Sequence, residues 1–390
     1  MKALRIILII ITSLAAIVAF YAYRNLNYDY LNTNFMEKTG EKLGFIEKQA
    51  VLDDGSVLNY GEGPSNGPPL LLLHGQQATW KDYAKVLPDL SKEFHIFAVD
   101  YYGHGKSSKD ISKYKANIIG QDLIWFMDSV IKEPAYVTGH SSGALLASWL
   151  GANNPENVLG LILEDGPFFS TEKGRAEKTF AYKDFENMHN YLNQQEIDSY
   201  THYSLLYDPM IDLINKQGGD IWEKGIKAPA LKYMEKHPGE IPRLWFYPPE
   251  IGVNAIFELT RNIQDGTGDY DLYFGESFYD FTWFDGFNQE ETLKKIKAPT
   301  LVMQVNPSKE TAPSYYDEYG ILLSAMDIED AKRVCYLIPN SQYVTGFNSM
   351  HDIHADCPKE FTNAVLDFKK QVETDTFVPD KNINATNKKT

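Results

Sequence analysis

The residues whose types and spacing best suit chemistry are Gly139-His140-Ser141-Ser142-Gly143. This serine has a glycine two positions away on each side. It follows an apolar run at 135–138 and precedes a stretch with helical spacing at 143–153. That context predicts a tight strand-to-helix turn with Ser141 at its tip. Only residues without bulk let a backbone close so sharply. The turn lifts the hydroxyl off the sheet, and the following helix directs its positive end at the same spot. The chemistry this suits is nucleophilic attack on a carbonyl, with the backbone N–H of Ser142 donating to the oxyanion. Ser142 is thus read for its main chain, and His140 for packing. Such a serine needs a base, for which nine histidines are candidates. It also needs a carboxylate to orient that base.

Short apolar runs bounded by turns recur along the chain, as expected of strands buried on both faces of a parallel sheet. They lie at 70–73, 94–99, 135–138, 158–163, 300–305 and 333–338. Stretches of helical spacing at 82–90, 118–131 and 143–153 alternate with them, which predicts an α/β architecture with right-handed crossovers. Asp53-Asp54-Gly55, between Val51 and Val57, signals a hairpin. The rhythm breaks at 167–297, a segment too long for a crossover and rich in aromatics, such as Trp245-Phe246-Tyr247. It is expected to be a cap inserted into the core, with helices near 184–192 and 251–263. The core itself is assigned to 46–166 and 298–373. The polar tail at 374–390 is expected to be disordered.

Several motifs, taken in order, resemble those of the α/β-hydrolase family across residues 51–368. Leu70-Leu71-Leu72-Leu73-His74-Gly75 is similar to the strand and HG turn that carry an oxyanion donor, which implies the backbone N–H of Gln76. Asp100-Tyr101-Tyr102-Gly103-His104-Gly105-Lys106-Ser107-Ser108 resembles the D-x-x-G-x-G-x-S loop, whose part is to shape the fold. His351-Asp352-Ile353-His354, with Pro358 and Phe361, resembles the G-H-x-x-H-x-x-x-P-x-x-F ending, Met350 replacing the glycine. The resemblance implies that His351 is the base and His354 a structural or capping residue. His95, His189, His202 and His237 are read as surface or cap residues. It further implies a mostly parallel central sheet with flanking helices and a helical cap after the sixth strand. The usual acid is missing after the strand at 300–305, which continues Asn306-Pro307-Ser308-Lys309-Glu310. Some members carry the acid one strand earlier, which corresponds here to Asp165. Glu310 and Asp317 are the alternatives.

The reaction so implied is acyl transfer to water, needing neither metal nor organic cofactor. A carboxylic ester, with an apolar group for the aromatic cap, is the first expectation. An amide, as in amidases and proline-iminopeptidase-like enzymes, or a lactone is the second. A hydrolase fold used only for binding is a reading of a different class, favoured by the missing standard acid. A serine nucleophile departs from the aspartate mechanism of dehalogenases and epoxide hydrolases of this fold.

Composition bounds the partners. With 53 acidic against 37 basic residues the net charge is −16, which argues against nucleic acid or an anionic lipid surface as the main partner. Cys335 and Cys357 have neither CxxC nor Cys/His ligand spacing, so no zinc site is expected from them. Two free thiols are expected, with a single disulfide as the alternative. Near the start, Lys2 and Arg5 precede an uncharged run at 6–23, and Arg24 follows it. As a helix that run is about 27 Å long, close to the apolar thickness of a bilayer. Phe20, Tyr21 and Tyr23 suit the interface. Residues 1–24 are therefore expected to be an uncleaved anchor with the enzyme outside, a cleaved signal being the alternative. Residues 25–45 are expected to be a linker.

Overall fold

The structure, a computed structural model, describes residues 2–215, 219–262, 269–306 and 314–380. Eight strands form one sheet: β1 (Ile46–Val51), β2 (Val57–Glu62), β3 (Pro69–Leu73), β4 (His95–Asp100), β5 (Ala135–His140), β6 (Val158–Glu164), β7 (Thr300–Val305) and β8 (Ser341–Phe347). Their spatial order is β1-β2-β4-β3-β5-β6-β7-β8. The β1–β2 and β2–β4 pairs are antiparallel and all others parallel. The winding direction reverses between β3 and β5, and a crevice for ligands opens at such a switch point, outside the carboxyl ends of the strands.

The parallel strands are apolar because both their faces are covered. Leu70, Leu71, Leu72 and Leu73 have no exposed surface, and burial stabilises by about 1.5–3 kcal/mol for each. Leu70 and Leu72 share a core with Tyr83, Phe94, Tyr136 and the residues Phe361, Val365 and Phe368 of the helix Pro358–Glu373. The helix Ser142–Asn153 packs on β5 and β6, with the helix Ala116–Phe126 beside it.

Three expectations are corrected. The run at 333–338 is not a strand but the end of the helix Ile328–Leu337. Its buried Ala331, Val334 and Cys335 recur at helical spacing, and Asp327 and Asp330 form a capping box at its start. The last strand is β8, three residues further on. Residues 34–45 are no free linker. Phe35 and Phe45 are buried, and Phe35 stacks edge-on against both Phe45 and Trp80. The tail is held as far as 380. Phe377 packs on Phe368, and the Asp380 carboxylate accepts from the Tyr343 N–H at 2.7 Å. The rest of the expected disordered tail, 381–390, lies outside the described residues. Both cysteines are free thiols.

Between β6 and β7 the described residues form helices and no strand. The chain divides into two compact units, Asn34–Asn193 with Asp269–Thr390 and Met1–Thr33 with Gln194–Gly268. The insertion expected as one cap is thereby split. Its outer helices, Phe180–Leu192 and Leu272–Tyr279, pack on each other within the sheet-containing unit.

The smaller unit has its own apolar cluster, including Leu205, Trp222, Ile226, Leu244 and Phe257. Its long helix, Lys2–Leu26, contains a stretch of mean hydropathy 2.5 that is not buried and is long enough to cross a membrane. The end of that helix is tied to the 245–250 segment. Asn25 Nδ2 donates to the Trp245 carbonyl at 2.8 Å, and Arg24 pairs with Glu250.

Candidate active site

Ser141 sits at φ 54°, ψ −124°, between the end of β5 and the helix Ser142–Asn153. A side chain larger than hydrogen rarely adopts this conformation, so the turn stores strain. The glycines make the turn possible. A Cβ on Gly139 would run into the Gly143 carbonyl, and one on Gly143 into the carbonyls of Leu73 and His74. The Ser141 N–H donates to the Glu164 carbonyl at 3.0 Å, which ties the turn to the end of β6. Ser142 is buried with its hydroxyl 2.8 Å from that of Tyr101. Its N–H heads a helix whose first amides have no intrahelical acceptor.

Asp165 follows β6 at φ 40° and has no exposed surface. Its N–H donates to the Met303 carbonyl at 2.9 Å, which holds the backbone on β7. His351 lies in the loop after β8, and its Nδ1–H donates to Asp165 Oδ2 at 2.7 Å. That loop is pinned as well. The His351 N–H donates to the Ser349 hydroxyl, which donates to Asp356. Burial lowers the affinity of the His351 ring for a proton. The hydrogen bond and charge of Asp165, with the charges of Asp352 and Glu164, outweigh burial and raise its pKa to about 9. Burial pushes the Asp165 carboxyl up, and His351 opposes the push.

Ser141, Asp165 and His351 thus follow the carboxyl ends of β5, β6 and β8, three parallel strands of the sheet. The His351 ring is 4.5 Å, centroid to centroid, from that of His140, the residue before Ser141. The segment expected to carry the second oxyanion donor follows β3, whose Leu73 is in register with Gly139. There the Gln76 side chain accepts from the Tyr270 hydroxyl at 2.7 Å, which fixes the turn carrying its N–H. Phe274, from the same part of the insertion, packs on Tyr101 and His104.

The remaining candidates have other surroundings. Asp317 accepts from the backbone N–H groups of Tyr319 and Ile321, closing a turn. Glu310 lies outside the described residues. Asp100 accepts from Asn59 and from the Trp80 N–H, so it organises its loop. His354 is fully buried, with Nδ1 at 2.9 Å from Glu164 Oε1 and Nε2 at 3.2 Å from Asp82 Oδ2. His95 pairs with Glu62 and His189 with Glu276.

Sequence reasoning gave no role to Glu164, Asp82 or Tyr270. The one signal for Glu164 was a charged residue at the end of an apolar strand. Asp82 and Tyr270 carried none, because their partners are remote in sequence.

A family profile described as alpha/beta hydrolase fold matches residues 68–201. The chain is 35% identical over 101 residues to a magnesium-chelatase 30 kDa subunit from Rhodobacter capsulatus, covering 25% of this chain and 36% of that protein. A human serine hydrolase-like protein is 30% identical over 138 residues, 33% of this chain and 64% of its own length. The chain thus spans less than two thirds of the length of these relatives. A solved putative lipase from Acinetobacter baumannii superimposes with a TM-score of 0.58 at 18% identity, over 90% of this chain and 98% of that one. The chain has the α/β-hydrolase fold. In this α/β-hydrolase fold the end of β5, the end of β6 and the loop after β8 carry the three candidate side chains, and an acid and a histidine 186 residues apart meet there.

Proposed function

We propose that this chain is a serine hydrolase that cleaves carboxylic esters through an acyl-enzyme, with Ser141 as nucleophile, His351 as general base and Asp165 as the acid that orients it. The observation carrying this reading is the 2.7 Å bond from His351 Nδ1 to a buried Asp165, beside a serine on a positive-φ turn. Holding Nδ1–H on a carboxylate leaves Nε2 as the atom able to accept a proton. In the first step the Ser141 oxygen bonds to the carbonyl carbon and its proton passes to His351 Nε2. The carbonyl oxygen becomes an oxyanion facing the N–H groups of Gln76 and Ser142. Collapse breaks the bond to the alcohol oxygen, which takes the proton back from His351. Water then repeats the sequence on the acyl-serine and releases the acid.

A similarity to a human serine hydrolase-like protein is in keeping with a serine nucleophile. The aromatic groups of the insertion, among them Tyr270 and Phe274 beside the β3 turn, suit an apolar substrate. The apolar helix Lys2–Leu26 is read as a membrane anchor. A panel of p-nitrophenyl esters of increasing acyl length, run beside peptide amides and lactones, tests the substrate class. Turnover of esters above amides and lactones is expected. Turnover confined to amides would overturn the ester assignment.

A further inference from the structure

We propose that Asp82, His140 and His354 form a binding site for one divalent transition-metal ion of the zinc class, sharing His140 with the Ser141 turn but using none of Ser141, Asp165 and His351. Asp82 Oδ2 stands 3.2 Å from His354 Nε2 and 4.0 Å from His140 Nδ1. The three ligand atoms all fall within 4.8 Å of one another. A tetrahedral zinc with bonds of about 2.0–2.1 Å keeps its ligand atoms about 3.3–3.4 Å apart. One contact already matches, and the others need closing by up to about 1.5 Å.

The second observation is the state of the rings. His140 is 3% exposed, and neither of its ring nitrogens makes a well-aligned hydrogen bond; Nε2 has Asp352 Oδ1 at 3.2 Å, and Nδ1 has only Asp82 at 4.0 Å. Leaving buried polar atoms unpaired is costly, so such atoms point to a missing partner. His354 has the same feature on one side only. Its Nδ1 is held by the Glu164 carboxylate, which also accepts the His354 N–H, while Nε2 faces Asp82 Oδ2 at 3.2 Å without a well-aligned hydrogen bond. An imidazole with its outer nitrogen on a carboxylate and its inner nitrogen turned to a second ligand atom is an arrangement that orients histidine toward a metal. On His140 the outer contact is Asp352 Oδ1, 3.2 Å from Nε2.

With an ion bound, the lone pairs of His140 Nδ1 and His354 Nε2 and one Asp82 oxygen would face a single cation. Two nitrogens and one oxygen suit the zinc class better than calcium or magnesium. Asp82 is 24% exposed, so solvent reaches the site as a source of a fourth ligand. A second grouping, His140 with His351 and Asp352, is also close enough for an ion. It loses to the first because the proposed reaction needs His351 Nε2 to accept the Ser141 proton, its Nδ1 being held by Asp165.

The test uses the full chain freed of metal by a chelator and titrated with Co2+ as probe. One equivalent is expected to develop the visible bands of a low-coordinate site, and Zn2+ should displace it. Asp82→Asn and His140→Leu should each weaken binding more than tenfold, whereas His351→Ala should leave it unchanged. Circular dichroism on each variant reports whether the chain is folded. Absence of visible bands in the folded wild type would overturn the proposal, a proton on His354 then filling the place of the ion. So would binding that survives both Asp82→Asn and His140→Leu, or binding lost in folded His351→Ala.

Discussion

Glu164 and Asp165 are adjacent, yet each holds a different histidine. The fully buried Glu164 fixes His354, and the turned backbone of Asp165, at φ 40°, aims its carboxylate at His351. If Asp165 orients the base, Asp165→Asn should lower kcat by about 10³–10⁴-fold, as expected when the base loses its tautomer-setting partner. The pH profile gives an independent readout. The base works only when neutral, and its pKa is raised to about 9, so kcat/KM should climb as pH rises through that value. Removing the carboxylate charge should move this acidic limb to lower pH, toward the about 6.5 of a free imidazole. An unmoved limb would count against the pairing. The position of Ser141 on a sharp turn was legible from its two glycines. The division of labour between Glu164 and Asp165 was not, since it depends on histidines 186 and 190 residues away.

The element that matters most is the strand-to-helix turn, and its strain is bearable because Gly139 and Gly143 let three backbones meet. Gly143→Ala would drive a methyl into the carbonyls of Leu73 and His74. Overpacking of this kind should cost about 1–3 kcal/mol, read as a lower midpoint of urea unfolding at unchanged slope. An unchanged midpoint would mean that the turn is looser than described. Most strands were legible because wholly buried parallel strands are continuous apolar runs. The run at 333–338 was misread for a physical reason, since a short apolar stretch looks alike in a buried strand and on a helix face. Its acidic cap at Asp327 and Asp330, six and three residues upstream of Arg333, was the overlooked sign of the helix.

For the molecule as a whole, the sheet and the place of the insertion followed from alternating strand and helix signals, but the partition into two units did not. The helix Lys2–Leu26 belongs with Gln194–Gly268, and that link rests on contacts such as Asn25 with the Trp245 carbonyl, which no spacing in the chain encodes. If the helix is an anchor, the full chain should sediment with membranes and resist extraction by alkaline carbonate. Its recovery in the soluble fraction would contradict anchoring. The central claim remains the nucleophile. The most direct measurement is reaction of the folded full chain with a fluorophosphonate probe, followed by mass spectrometry of its peptides. A single adduct on Ser141, absent from folded Ser141→Ala, is predicted. No adduct on the folded wild type, or an adduct on another serine, would contradict the account.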